Sequence, residues 1–356
     1  MRLRLRMRLR RLIAVARIVR VLTLAGAAAC LAAPTVLAQT SPQASQLRVR
    51  LAEIYRREAF LPLYGALRQE MFQRQGLAVE TAVMLGPDRI LAALLNGEAD
   101  VALGGPDTAI FSALSARAES IKIVAAVSRF DSAFLLSRQN IALDRFSWDS
   151  LKGKKVMGWF AGSFPAVYFD RAMRRNRLDP QRDVDYDQKV AYPVRISAWR
   201  DGRFDFAAFD LADAAALERE RAGYPLVSIG AAAGPTVYTV FLSTADYIRS
   251  HPEIMQKWAN ATQAALAWTE VASLDEAVAA AASFLPQLNR ADLASAIGRY
   301  REIRMWQSDA TVSPQAIEDV QTMMIESGIV PPDKRVPYDT VVEPRFAEAA
   351  KRAAPR

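Results

Sequence analysis

The sequence predicts a layered α/β protein: two α/β units in tandem, followed by a helical tail. Three observations carry this. Short apolar strands alternate with amphipathic helical stretches twice over, and the second series restarts at Lys155 after a polar break from Asp144 to Lys154. Glycine turns stand at strand ends in both series. Beyond Ser250 the apolar period is almost purely helical. A chain of 356 residues, 51% hydrophobic, is long enough for one large core or two medium ones.

In the first unit Leu47, Val49 and Leu51 alternate with Arg48 and Arg50, so 47–54 reads as a strand. A helix is expected over Leu61 to Arg74, stopped at Gly76, then a strand from Leu77 to Leu85. Gly86-Pro87-Asp88 opens a helix that closes on Asn96-Gly97. Val101 to Leu103 and Ile121 to Val127 complete four strands, with a further apolar run at Ala133 to Leu136. In the second unit strands are expected at 156–160, 184–190, 204–209 and 226–229, and helices at 164–177, 194–200 and 211–221. Val237 to Leu242 is one more strand. In the tail, Ile254, Trp258, Ala261, Ala265 and Trp268 share a helix face. Ser250-His251-Pro252-Glu253 reads as a capping box, Ser273…Glu276 and Asn289…Asp292 as further N-terminal caps, and Ser313-Pro314 as the start of a helix ending at Gly328. Trp258, Trp268 and Trp306 read as core.

One stretch asks for an explanation: LNGEADVALGGPDTA, Leu95 to Ala109. A strand runs into two glycines and then into Pro106, Asp107 and Thr108, which suit a helix's first turn. In an open α/β sheet such strand ends are where ligands bind, and glycine lets backbone approach a bound molecule. A plain tight connection would look the same.

The formal charge of +8 does not point to nucleic acid. The first 38 residues hold eight arginines and no acid, and the remainder has 38 Lys+Arg against 38 Asp+Glu. That segment, 1–38, has the parts of a secretory signal: a basic start, an apolar run from Val21 to Ala33, and Val36-Leu37-Ala38 before an expected cleavage at Gln39. Arg10-Arg11 lacks the flanking pattern of a twin-arginine signal, and Cys30 has Ala27 where a lipoprotein box has leucine. Cys30 is the one cysteine and His251 the one histidine, so the cleaved chain has no thiol chemistry and a single imidazole beside a helix start. No phosphate loop, GxSxG elbow or paired-carboxylate motif is present.

Across roughly 300 residues the chain resembles periplasmic solute-binding proteins of ABC transporters, in the branch of nitrate, sulfonate, taurine and thiamine-pyrimidine-precursor binders. The resemblance is carried by LYGALRQEMFQRQGLAVE, LLNGEADVALGGPDTA, LKGKKVMGWFAGSFPAVYF, WRDGRFDFAAFDLADA and VYTVFLSTADYIRSHPE, in that order. One departure is Glu70, where the family's pattern has glycine. The resemblance implies a two-lobed periplasmic-binding-protein type II fold with a ligand cleft between the lobes and a helical C-terminal segment. Lobe one is expected at 39–132 and 237–356, lobe two at 133–236, with crossings near Arg129–Leu135 and Pro235–Val240 and the tail packed mainly on lobe one. It implies a monomer in the periplasm that closes around a small molecule and hands it to a permease and its ATPase, with no nucleic acid, metal or cofactor. A sensor domain, or an enzyme on the same scaffold, are the other readings; the eukaryotic pyrimidine synthase that resembles this branch uses a histidine and a cysteine-rich motif that this chain lacks.

On that reading Gly105, Pro106, Asp107 and Thr108 form the cleft wall in lobe one, facing Trp159, Phe160, Gly162 and Ser163 in lobe two. Tyr55, Phe60, Trp159, Phe160, Phe164 and Tyr238 cluster at strand ends and suit a flat ring. Asp107 and Asp210 suit a nitrogen heterocycle with N–H donors, which favours a pyrimidine-like or other nitrogenous aromatic ligand. Either acid also suits a helix's first turn, and Ser163 either caps its helix or touches ligand. Arg56, Arg57 and Arg129 offer an anion its partners, with Arg129 divided between hinge and ligand.

Overall fold

The computed structural model describes residues 46–115 and 121–354, all within one compact unit. The segment holding the expected signal, Arg10-Arg11 and Cys30 lies outside the described residues. Among those described, no helix is long and apolar enough to cross a membrane.

The first series folds as β1 (Leu47–Ile54), α1 (Leu61–Arg68), β2 (Leu77–Met84), α2 (Pro87–Leu95), β3 (Val101–Gly104), α3 (Pro106–Leu114) and β4 (Ile121–Ala126). The second gives β5 (Phe134–Ser137), β6 (Lys155–Met157), α4 (Phe164–Arg175), β7 (Asp185–Asp187), α5 (Arg195–Arg200), β8 (Phe206–Phe209), α6 (Leu211–Arg219) and β9 (Tyr224–Ser228), before β10 (Val240–Thr244) returns to the first sheet. Two five-stranded mixed sheets result, in the orders β2-β1-β3-β10-β4 and β7-β6-β8-β5-β9. The two orders match position for position. In each, the strand delivered by the crossing from the other lobe, β10 or β5, runs antiparallel to both neighbours. The remaining strands are parallel, so their carboxyl ends all open on the same edge, where βα turns can meet a ligand.

The two crossings lie side by side. Val127 N–H donates to Thr239 O (2.8 Å), Tyr238 N–H to Ser128 O (2.9 Å) and Thr236 N–H to Arg129 O (3.0 Å), and the Ser128 and Thr239 hydroxyls bond at 2.9 Å. A paired two-strand connection satisfies its own backbone and can flex as one ribbon.

After β10 come α7 (Pro252–Val271), α8 (Leu274–Phe284), α9 (Arg290–Glu302), α10 (Pro314–Glu326) and α11 (Arg345–Ala353). The face of α7 read from the sequence packs on α1, where Trp268 covers Gly65 so closely that a Cβ there would lie 2.2 Å from the ring. The tail is not confined to lobe one. Arg219 of α6 grips Asp292 through two bonds (2.9 and 3.0 Å), Arg299 of α9 reaches Glu218 (2.7 Å), and Glu326 of α10 pairs with Arg171 of α4 (3.1 Å). The sequence pattern could not show this, because those partners are single helix charges with no periodic signature.

Two local readings change. The expected helix over 61–74 breaks at Glu70, which takes the left-handed φ of 54°. This is the position where the family's pattern has glycine, and an L-residue there costs roughly 1–2 kcal/mol. Glu70→Gly is therefore expected to raise stability by up to about 1 kcal/mol, after the entropy of the freer unfolded chain is offset. Urea unfolding measures this, and a loss of stability would refute it. Second, Ser250 does not cap. A short helix, Ala245–Ser250, runs right up to it, so its hydroxyl donates back to Asp246 O (2.8 Å) and His251 becomes the N-cap residue of α7 without a side-chain cap bond. Glu253 pairs with Lys257 instead (2.9 Å). Ser273 and Glu276 do form a full capping box on α8. Ser273→Ala should accordingly cost about 1 kcal/mol and Ser250→Ala almost nothing; equal losses in thermal unfolding would overturn this.

Candidate functional site

Five βα turns, after β1, β2, β3, β6 and β7, and the two crossings line a cavity of about 400 Å³ between the lobes. From lobe one come Tyr55 and Arg57, just after β1, and Gly105, Asp107 and Thr108, just after β3. From lobe two come Trp159, Phe160, Gly162 and Ser163, after β6, with Phe164, Tyr192 and Arg195; Ser132, Tyr238 and Thr239 come from the crossings. The six strand-end aromatics anticipated from the sequence all line it.

The Gly-Gly-Pro turn now has a physical account. A Cβ on Gly105 would lie 2.1 Å from Asp107 Oδ1 and 3.4 Å from the Phe164 ring of the other lobe. Gly105 thus leaves room for both the carboxylate and the facing lobe. Pro106 is buried at the first helical position and does not line the cavity, a correction; its fixed φ starts α3. Burial raises the Asp107 carboxyl to about 6, against the pull of its own N–H and that of Thr108 at the helix start. Opposite, Gly162 takes a φ of 81° that only glycine adopts freely. Ser163 neither caps α4 nor leaves its hydroxyl idle: it donates to Phe160 O (2.6 Å) and tightens the turn. Tyr55 itself is held at φ 54°, an outlier for a bulky residue that aims its ring across the cleft.

Arg129 and Asp210 are placed differently from expectation. Arg129 sits in the crossing, its N–H donating to Met305 O (2.8 Å) and its guanidinium over Phe130 (5.3 Å), outside the cavity lining. Sequence distance to the strand end was small, but the crossing carries its side chain away. Asp210 lies behind the cavity, 3% exposed, and is the buried counter-ion of Arg57 (3.0 Å). Ser132 Oγ donates to its Oδ1 (3.2 Å) and Tyr192 OH to its Oδ2 (3.0 Å). A second hollow of about 230 Å³ opens on that side, between Glu58, Asp210, Asp213 and Gln287.

The cation of the site is Arg57. Its guanidinium stands 5.4 Å from the Tyr192 ring, 5.6 Å from Tyr55 and 5.9 Å from Trp159. Burial opposes its charge, but Asp210 and the acids beyond it outweigh that and hold it above the usual arginine value. Arg195 is different. It is 2% exposed and bonds only backbone oxygens: Gly158 (2.6 Å), Ala208 (2.5 Å) and Met157 (3.5 Å). Burial pulls it down to about 10, and Trp159 stacks on it at 4.3 Å. Two buried donors at the cavity wall, Arg195 Nε and Trp159 Nε1, have no hydrogen-bond partner among the described residues.

Arg195, Tyr192 and Asp131 were missed from the sequence. Arg195 opens a short helix and Tyr192 stands in a Tyr-Pro turn, positions that carry no motif. Asp131 lies fully buried in the crossing, facing the Tyr238 hydroxyl.

The model of a family described as NMT1/THI5 like matches residues 58–271, well over half the chain. The chain belongs to that family. Among the family member's relatives is YtlA of Bacillus subtilis (strain 168), provisionally named a binding protein, 25% identical over 312 residues that cover 88% of this chain and 92% of YtlA. Among solved structures, the periplasmic nitrate-binding protein NrtA from Synechocystis PCC 6803 superposes with a TM-score of 0.67 at 14% identity, over 86% of this chain and 89% of that one. The alkanesulfonate-binding protein SsuA from Xanthomonas axonopodis pv. citri, bound to MOPS, gives 0.62 at 18% identity, over 84% and 99%. These likenesses show the two-lobed periplasmic-binding-protein type II fold for this NMT1/THI5-like protein. In that fold the βα turns described above face one another across the cleft.

Proposed function

We propose that this protein is the substrate-binding component of an ABC importer, acting in the periplasm: it captures a small planar organic molecule between its lobes and delivers it to a permease and its ATPase. The observation that carries the reading is the cavity itself, walled by aromatic rings from both lobes, with Arg57 and Asp107 from lobe one and Arg195 from lobe two. Its volume suits an organic ligand and is more than a bare nitrate fills. The lining has no histidine, cysteine or lysine, which favours capture over turnover. Ring-on-ring walls and the Asp107 carboxylate favour a pyrimidine-like or other nitrogenous aromatic molecule. The unpartnered donors of Arg195 and Trp159 support a second reading, a sulfonate or other organic anion, because a buried donor without a partner costs about 1–3 kcal/mol that a ligand oxygen would recover.

A thermal-shift panel tests both. It holds aminopyrimidines, aliphatic and aromatic sulfonates, taurine, nitrate and aromatic carboxylates. A ligand at 100 times its Kd adds about 2.7 kcal/mol, roughly a 5 °C shift for a chain of this size. Trp159→Ala should weaken any hit tenfold or more. A hit indifferent to Trp159 moves the site elsewhere, and a panel with no hit sinks the reading.

A further inference from the structure

Tyr192 stands where a ligand's ring belongs. Its ring is stacked on Tyr55 of lobe one (5.8 Å, 23°) and on Trp159 of lobe two (6.2 Å, 16°), with the Arg57 guanidinium 5.4 Å away. Its hydroxyl donates to Asp210 Oδ2 at 3.0 Å. It is therefore a planar ring with one hydrogen-bond donor, held by two aromatic faces, a cation and a buried carboxylate. Yet it is anchored only by a single three-residue 3-10 turn, Tyr192–Val194, is 41% exposed, and has Val194 beside it at 51%. The same ring separates the 400 Å³ cavity from the 230 Å³ hollow, since Tyr192, Trp159, Arg57 and Arg195 line both.

We infer that Tyr192 is an internal occupant of the ring slot, a plug that the transported molecule displaces. The inference rests on the proposed function and narrows it. The ligand is a planar ring bearing an O–H or N–H donor that Asp210 accepts, and its further end extends into the space that opens when Tyr192 leaves. Stacking sets the fit, so shape as well as donor matters. The plug also sets affinity. A site filled by its own side chain binds only in the fraction of molecules where that side chain is out, and apparent Kd rises by the reciprocal of that fraction.

The test is calorimetric titration of the whole protein and two variants, Tyr192→Ala and Tyr192→Phe, with 4-methylphenol, 4-methylcyclohexanol and 4-aminopyrimidine as probes. Tyr192→Ala should bind 4-methylphenol and 4-aminopyrimidine at least tenfold more tightly than the unaltered protein. It should discriminate against 4-methylcyclohexanol, which has the hydroxyl without the planar ring. Tyr192→Phe keeps the ring but loses the bond to Asp210, so it should bind 4-aminopyrimidine more tightly than the unaltered protein by a smaller factor. That variant stays informative if Tyr192→Ala folds poorly. Were Tyr192 a wall of the site, both variants would bind 4-aminopyrimidine no better or more weakly, and the inference falls. Equal binding of 4-methylcyclohexanol and 4-methylphenol by Tyr192→Ala would mean a hole and no ring slot, which also overturns it. Neither failure touches the capture of ligand by the cavity as a whole, which the separate panel decides.

Discussion

Arg57→Met is expected to lower the stability of the protein by about 3–5 kcal/mol, the loss seen when one partner of a buried ion pair is removed. The cause is what remains. Asp210, 3% exposed, would keep only the Ser132 and Tyr192 hydroxyls, and its charge would face Glu58, Asp131 and Asp213 with only Arg195, itself bonded to backbone oxygens, as a nearby cation. Glu58 already sits above its ordinary value through burial and the charge of Asp210, although Ala212 N–H (3.0 Å) and Tyr300 OH (2.9 Å) serve its Oε1. The double variant Arg57→Met/Asp210→Asn removes the orphaned charge and should recover more than half of the loss. The pair also joins the lobes, since Arg57 follows β1 and Asp210 follows β8. Removing the cation should shift the population toward the open form, visible as a larger radius of gyration in solution scattering. Urea unfolding gives the energies. A single-variant loss below 1 kcal/mol, or a double variant no better than the single, would mean that the pair is wetter than its burial implies.

How far the site was legible depends on how local its signals are. Gly105, Asp107, Gly162 and the ring positions Tyr55, Trp159 and Phe164 could be read because each lies within a few residues of a strand end, and strand ends are marked by apolar runs stopping at glycine. The alternation that marked the strands also gave two sheets. Their matching order was not legible, because it depends on where β5 and β10 insert and no period records that. The roles of the charges were hidden for the same reason. Asp210 read as a ligand acid, and its partner Arg57 is 153 residues away in sequence. Arg195 looked like one more helix arginine; only the fold puts it under Trp159 with backbone oxygens for company. Ser250 was misread because the short helix before it had no apolar stripe to announce it, and two adjoining helices leave one residue to serve as both end and start.

Asp131→Asn should stabilise the protein at pH 8 and flatten its pH dependence. Asp131 is fully buried in the crossing between the lobes. Burial, then the nearby charge of Asp210, raise its carboxyl from 3.8 to about 7, while the Tyr238 hydroxyl and Arg57 pull partly back. The sign follows from proton binding. Between about pH 4 and 7 the folded protein keeps a proton that the unfolded chain has lost, so stability is fullest below the unfolded value and falls as pH rises through the folded one. Each unit is worth about 1.4 kcal/mol, which sets a ceiling near 4 kcal/mol at pH 8 for a shift of this size. Relaxation around the charge will reduce it, and a gain of about 1–3 kcal/mol for the asparagine is the expected result. The slope does not vanish in the variant, because Asp213 at about 7 and Asp107 at about 6 are raised by burial in the same direction. Denaturant unfolding of both proteins at half-unit steps from pH 5 to 8.5 measures it. Parallel curves would show that Asp131 does not titrate in this range. A variant less stable at pH 8 would show that the ionised carboxylate is used, with Arg57 as its partner. A steeper fall in the unaltered protein would place a charge that resists burial in the ribbon that joins the lobes, so that rising pH weakens the joint between them.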